Sequence, residues 1–211
     1  MQAIVLTKSG KNGGICLAVY YPHLNQMFRL VTSYDGAEVP YRMCEKFEPL
    51  DVIEYLPRDL VVNGPQTENI LIDTSFEIKK VEVEGLDITT IYNNLLENRV
   101  QSKVIFASNK SHIADLDFIN HSLELVKVNN LVIKKICHNE TIKIRADFTI
   151  DGIKHSNYAV TDFKYDIRKK EIDLINVGDA YLVVSISSKP YIYDDGTDYG
   201  YYKFVSAIYP I

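Results

Sequence analysis

Apolar and polar residues alternate along most of the chain, in short runs rich in β-branched and aromatic side chains. Gly, Asn, Asp and Pro separate these runs, which is typical of short β-strands joined by turns. The sequence therefore predicts a mostly β fold. The predicted strands are residues 3–8, 15–21, 27–32, 51–56, 70–73, 123–135, 141–150, 153–160, 181–187 and 201–208.

Two glycine-containing pairs indicate hairpin turns between predicted strands. Gly13-Gly14 follows the first strand, and glycine adopts the positive φ angles that a tight reversal needs. Asp151-Gly152 separates two later strands and is a strong hairpin signal. We therefore expect one hairpin at the start of the chain and another in its second half.

A change of period marks helical residues in the middle of the chain. The apolar residues from Ile88 to Leu96 fall at i, i+3, i+4, i+7 and i+8, which is one face of a helix, and Asp87 is a suitable N-cap. A second, weaker helical pattern covers residues 111–120. Together these stretches predict a helical bridge between two strand-rich halves.

The predicted organisation is a first OB-like domain at residues 1–86, the bridge at 87–120 and a second OB-like domain at 121–211. Each half has about five predicted strands, which fits a small barrel better than one sandwich. The five-stranded Greek-key barrel, or OB-fold, is the natural candidate. Residues 163–174 stay ambiguous, because their apolar residues alternate as in a strand while Asp162 could cap a short helix.

The formal net charge is -5, which argues against a strong nonspecific binder of polyanions. The charge is unevenly distributed. Residues 1–100 carry 9 Lys and Arg against 14 Asp and Glu, whereas residues 101–211 carry 14 against 14. Any surface for an anionic ligand is therefore expected in the second half.

The sequence predicts a cytoplasmic protein with reduced thiols. The apolar run after Met1 is too short for a signal peptide or a membrane span and is typical of a first strand. The cysteines are odd in number and lack the close pairs of zinc sites; they are Cys16, Cys44 and Cys137.

No local motif indicates catalysis, a metal or a cofactor. The five histidines lie at no ligand spacing, and the acidic residues 194–198 lack the length and final glutamate of a calcium loop. The glycine-rich residues 9–14 lack the GxxxxGK[ST] spacing of a phosphate loop. We expect a binding protein without metal or cofactor. A hydrolase or nuclease of unrecognised type is a less favoured alternative.

Basic and aromatic residues in the predicted second domain could bind a phosphate backbone and stack on bases. Strand alternation places Lys143 and Arg145 on one face, with Ile142 and Ile144 pointing inward. An ordinary solvated sheet face explains the same pattern at least as well. The candidate residues are Lys134, Lys143, Arg145 and Lys203 for phosphate contacts, and Tyr158 or Tyr202 for stacking.

Several short motifs in both halves resemble the dual OB-domain proteins, bacterial proteins with two OB-folds in tandem. They are residues 3–9 with Lys11, Gly13-Gly14, Cys16 and Ala18, then residues 28–31, 51–54, 65–69, 182–185 and 202–207. The chain departs from the family pattern at Val19, where glycine is usual, and at Phe28, where tryptophan is common.

The resemblance implies a protein that binds nucleic acid and is associated with bacterial phage defence. The leading function prediction is a non-catalytic module that binds nucleic acid, as a single strand or at a duplex end, within a larger defence or DNA-processing system. The resemblance also implies a second candidate surface of polar residues that face a ligand or a domain seam: Ser9, Lys11, Arg29, Gln66, Glu68 and Asn69. The alternative function is a protein-interaction subunit that docks on a partner enzyme, which the acidic first half favours.

Overall fold

The structure is a computed structural model that describes residues 1–11, 14–97, 105–113, 119, 121–138, 140–192 and 198–211. The chain divides into two compact units, Met1–Ser102 and Lys103–Ile211, and each has its own hydrophobic core. Both units are built mainly from β-strands, as the alternation of apolar residues predicts.

The first unit contains one seven-stranded sheet in the order β5-β6-β3-β2-β1-β4-β7. Its strands are β1 (Gln2–Lys11), β2 (Gly14–Tyr21), β3 (Gln26–Val31), β4 (Val52–Glu54), β5 (Pro57–Asn63), β6 (Gln66–Ile72) and β7 (Lys79–Lys80). β3 and β6 are parallel, and the other neighbours are antiparallel. β4 and β5 follow each other in sequence, yet β4 pairs with β1 near one end of the strand order and β5 pairs with β6 at the other end. The short connection between them brings the two ends of the sheet together, as in a barrel.

Two α-helices belong to the first unit, α1 (Tyr41–Cys44) and α2 (Ile88–Glu97). The structure confirms the helix predicted from Ile88, with Ile91 and Leu95 buried along one face. Asp87 caps it, since its carboxylate accepts a hydrogen bond of 2.9 Å from the Thr90 N–H. In the described part of the chain, no helix is long and apolar enough to cross a membrane.

The second unit contains a barrel of five long strands with two short ones added. Its strands are β8 (His112–Ile113), β9 (Leu123–His138), β10 (Thr141–Ile150), β11 (Ile153–Val160), β12 (Leu174–Ile186), β13 (Tyr191–Ile192) and β14 (Asp198–Pro210). The order is β11-β10-β9-β12-β14-β13, with β8 also on β14. A parallel pairing of β11 with β14 closes the ring.

Both predicted hairpins are present. Ile150 pairs with Ile153 across the turn, and Asp151 and Gly152 have φ angles of 49° and 80°. β1 and β2 pair antiparallel up to Lys11 and Gly14. Their turn residues 12 and 13 lie outside the described residues, as do residues 194–197 of the acidic stretch 194–198.

Two predictions for irregular regions change. The helical pattern predicted for residues 111–120 is wrong at its start, because His112–Ile113 form a strand on β14; residues 114–118 and 120 lie outside the described residues. In the ambiguous stretch, Phe163–Tyr165 form a 3-10 helix. Its cap is Asp162, whose side chain accepts a hydrogen bond of 2.9 Å from the Lys164 N–H.

Candidate functional site

The outer face of β10 carries the basic side chains predicted for it. Lys143 is exposed, and Arg145 and Asp147 are half-buried, whereas the residues between them point into the core: Ile144, Ala146 and Phe148. Ile142 departs from the prediction, since its side chain is 42% exposed near the end of the strand.

Arg145 lies in a row of residues that crosses four strands. It pairs with Lys134 on β9 and with Ala159 on β11, and Ala159 pairs in turn with Phe204 on β14. Directly paired residues point to the same face of a sheet. The side chains of Arg145 and Phe204 therefore lie on the same face, on either side of Ala159. Because Ala159 has only a methyl group, it leaves the space between them open.

Aromatic side chains cluster beside this row. The Tyr202 ring meets Phe204 at 6.4 Å and Tyr191 at 5.4 Å between ring centroids, and Tyr191 is 45% exposed. Burial lowers the pKa of Arg145, and electrostatic interaction with Tyr202 opposes that shift. A guanidinium and an aromatic group thus share one face of the second unit.

The two candidate lysines on these strands, Lys134 on β9 and Lys143 on β10, differ in their partners. Lys134 donates to Asp147, and this bond and one from the Asn157 N–H outweigh burial and hold the pKa of Asp147 below its usual range. Lys143 forms no ion pair with any residue that the structure describes. Lys143 is therefore more available to a ligand than Lys134.

Lys203 and Tyr158 cannot form the surface contacts predicted for them, because both side chains are fully buried. Lys203 lies next to Tyr202 on β14, and neighbouring strand residues point to opposite faces. Its ammonium donates to the Ser108 carbonyl at 3.0 Å and to the Tyr158 hydroxyl at 3.4 Å. The two residues belong to the interior of the unit.

The interior around Lys203 is aromatic. Its nitrogen lies 5.6 Å from the centre of the Tyr158 ring and 5.8 Å from that of Phe106, which are cation–π distances. Burial lowers the pKa of Lys203 to about 8, although Glu124 favours its charged form. Burial also lowers the pKa of His155, whose Nδ1 lies 3.1 Å from the Tyr158 hydroxyl.

Most residues of the second candidate surface are buried. Ser9 on β1, Arg29 on β3, and Gln66 and Asn69 on β6 are each at most 4% exposed. The Glu68 side chain is 11% exposed, and the side chain of Lys11 lies outside what the structure describes. A ligand cannot reach these four buried side chains from solvent, which favours a structural role for them.

Arg29, Glu68 and Asn69 form one polar group in the first unit, with Arg29 and Asn69 on the face of the sheet opposite the core residues Leu30 and Ile70. The Arg29 guanidinium donates to Asn69 Oδ1 at 3.0 Å and lies 3.8 Å from Glu68 Oε1. Among the described residues, Arg29 Nε and Nη2 and Asn69 Nδ2 have no hydrogen-bond partner. This group holds β3 and β6 together at the parallel pair of the first barrel.

Three residues of this face were not among the predicted site residues: Phe204, Tyr191 and Ala159. Phe204 follows Tyr202 by two positions, so the alternation along β14 was the available signal. The pairing that brings Ala159 beside Arg145 depends on strand register across the barrel, which a single sequence does not reveal. Within the described ranges, no three His, Cys, Asp or Glu side chains group as metal ligands.

The topology and the exposed face define a class of protein with two OB-type barrels in tandem. In each unit, the third long strand pairs in parallel with the last, β3 with β6 and β11 with β14. The chain belongs to the family described as the Dual OB-containing domain, whose model matches residues 1–208.

Comparisons with solved structures find two HIN domains. The p204 HINb domain shares 15% identity with a TM-score of 0.41, over 100% of this chain and 96% of that chain. The HIN2 domain of tetrameric p202 shares 13% identity with a TM-score of 0.37, over 100% of this chain and 91% of that chain. No curated protein matches the sequence.

Proposed function

We propose that the second unit binds nucleic acid, as a single strand or at a duplex end, on the outer face of β10, β11 and β14. The observation that carries this proposal is the placement of Arg145 on the same face as Tyr202 and Phe204. Only β11 lies between their strands, and its residue in this row is the small Ala159. A cation next to aromatic rings on a barrel surface suits a phosphate backbone whose bases are free to stack.

Each side chain of this face has a distinct role in the proposal. Lys143 and Arg145 contact phosphates, and Tyr202 with Phe204 supplies a stacking surface. Lys134 contributes less, because its charge is partly neutralised by Asp147. Lys203 and Tyr158 are not part of the contact surface, since both are buried.

The protein acts in this proposal as a non-catalytic module of a larger bacterial defence or DNA-processing system in the cytoplasm. The setting is the one that the resemblance to dual OB-domain proteins implies, and the non-catalytic role is proposed because the sequence contains no recognised catalytic motif. The acidic first unit does not take part in nucleic-acid binding, because its excess of carboxylates repels a polyanion.

The test is a titration of the purified protein against labelled single-stranded and duplex DNA and RNA at two salt concentrations. We expect binding to single strands or to duplexes with unpaired ends, and weaker binding at the higher salt concentration because counterions are released. Absence of salt-dependent binding to all of these ligands would exclude the proposed function.

A second candidate, docking on a protein partner, is favoured by the edge strand β5. Its Leu60 and Val62 are each 70% exposed, and β5 ends the strand order of the first sheet. Exposed apolar residues on an edge strand are suited to pairing with another chain. Replacing both residues by threonine should leave nucleic-acid binding unchanged and should abolish capture of a protein partner.

A further inference from the structure

Buried polar bonds fasten residues 105–113 to the barrel of the second unit. This segment, called the clasp below, lies just before β9 in sequence and includes β8. Its bonds are Lys203 Nζ to the Ser108 carbonyl at 3.0 Å, the Tyr158 hydroxyl to the Lys110 carbonyl at 3.0 Å, and the Ile105 N–H to Glu124 Oε1 at 3.2 Å.

The clasp continues directly into the part of β14 that carries the aromatic face. The Lys203 N–H donates to the Ser111 carbonyl at 3.0 Å, and the next residue of the clasp, His112, pairs with Tyr202. Lys203 points inward and Tyr202 outward, since they are neighbours on one strand. The inward bond to Ser108 and the outward ring of Tyr202 are therefore fixed by the same short stretch of β14.

We propose that Lys203 is a positioning residue, whose buried amino group holds the clasp on β14 by donating hydrogen bonds and thereby sets Tyr202 in the ligand-binding face. This role rests on the proposed function for its link to a ligand, whereas the closure of the clasp does not. It also replaces the direct phosphate contact that the sequence predicts for Lys203.

Closure of the clasp depends on pH, because it removes an ammonium from water. The neighbours of Lys203 do not titrate between pH 7 and 10, because burial raises the pKa of Tyr158 and lowers the pKa of His155 and of His112. A pH effect in this range therefore reports on Lys203. Glu124, bonded to His121 at 2.9 Å, favours the charged lysine but does not cancel the effect of burial.

The direction of the pH effect follows from the proton count. In the closed clasp the pKa of Lys203 is about 8, and in the open clasp, where water reaches the amine, it returns towards about 10.4. The open state thus binds more protons between these values, so opening is favoured at neutral pH and suppressed as the pH rises.

Amide hydrogen exchange of the full chain tests the closure. Between pH 7 and pH 9.5, after correction for intrinsic exchange, the opening equilibrium of residues 105–111 should fall more than tenfold in the wild type, since one pKa unit corresponds to a tenfold change. Lys203→Met should remove this pH dependence, and the exposed Lys154→Met should keep it. Protection that does not change with pH in the wild type, which needs no variant, would overturn the proposal.

Salt-dependent binding of single-stranded DNA tests the link to the ligand. Lys203→Met should weaken binding about tenfold while the slope of log K against log salt stays as in the wild type, because no phosphate contact is lost. A slope reduced by about 0.7, as expected for a lost contact on a single strand, would contradict the positioning role. If the wild type binds no nucleic acid, the role towards a ligand fails, and hydrogen exchange still decides the closure.

Discussion

Burial divides the basic and aromatic side chains of the second unit into two sets. Lys143, Arg145 and Tyr202 lie on the outer face, where Arg145 and Tyr202 interact electrostatically. Lys203 and Tyr158 lie inside and bond to each other and to the clasp. Only the outer residues can contact a ligand directly. In the proposed positioning role, the buried Lys203 fixes the outer residue Tyr202.

The polar group of the first unit is expected to stabilise its barrel. Arg29→Ala leaves Asn69 and Glu68 with lost partners in a buried site, so the free energy of unfolding should fall by about 3 kcal/mol in urea titrations. Lys46→Ala removes an exposed ion pair with Glu77 and should change it by less than about 0.5 kcal/mol. Equal effects of the two variants would contradict a structural role for Arg29.

The sequence predicted individual site residues only in part, and strand geometry explains the difference. Lys143 and Arg145 are two positions apart and share a face, as alternation requires. Tyr202 and Lys203 are adjacent, so a strand cannot present both to the same ligand. The pairing of Arg29 with Asn69 joins strands that are distant in sequence, which periodicity does not reveal.

At the level of elements, the β10–β11 hairpin depends on its turn. Gly152 has a φ of 80°, and a Cβ atom there would meet nothing within 4 Å, so strain rather than crowding opposes a side chain. Gly152→Ala should lower the free energy of unfolding by about 1 kcal/mol. Ser156→Ala on the exposed side of β11 should change it by less than about 0.5 kcal/mol, and a similar loss in both variants would contradict this account of the turn.

Elements with strong local signals were predicted correctly, and elements with weak signals were missed. Helix α2 has a clear helical period and an N-cap, and the turn at Gly152 has a strong hairpin pair. β5 begins at Pro57 and exposes most of its side chains, so it lacks the alternation of a half-buried strand. The short helix α1 is one turn long and has no side-chain cap.

At the level of the whole molecule, each unit has its own apolar core. The described residues contain no group of potential metal ligands, and the cysteines Cys16 and Cys44 are buried thiols. We expect treatment with EDTA to leave the thermal unfolding midpoint unchanged and elemental analysis to find no stoichiometric metal. Stoichiometric zinc or iron, or a lower midpoint after chelation, would contradict this expectation.

The distribution of charge between the units provides a matched control for the central claim. Lys143 and Arg145 lie on the proposed face of the second unit, and Lys79 and Lys80 form the edge strand β7 of the acidic first unit. Each double alanine variant removes two positive charges. A difference between them therefore reports where the ligand binds and not the net charge of the protein.

The most direct measurement is the slope of log K against log salt for single-stranded DNA, compared among the wild type and these two variants. Phosphate contacts by Lys143, Arg145 and, more weakly, Lys134 predict a slope of about -2 for the wild type. Lys143→Ala with Arg145→Ala should reduce its magnitude to about 1 or less, and Lys79→Ala with Lys80→Ala should leave it near -2. A wild type without salt-dependent binding, or equal slopes for all three proteins, would contradict binding on this face.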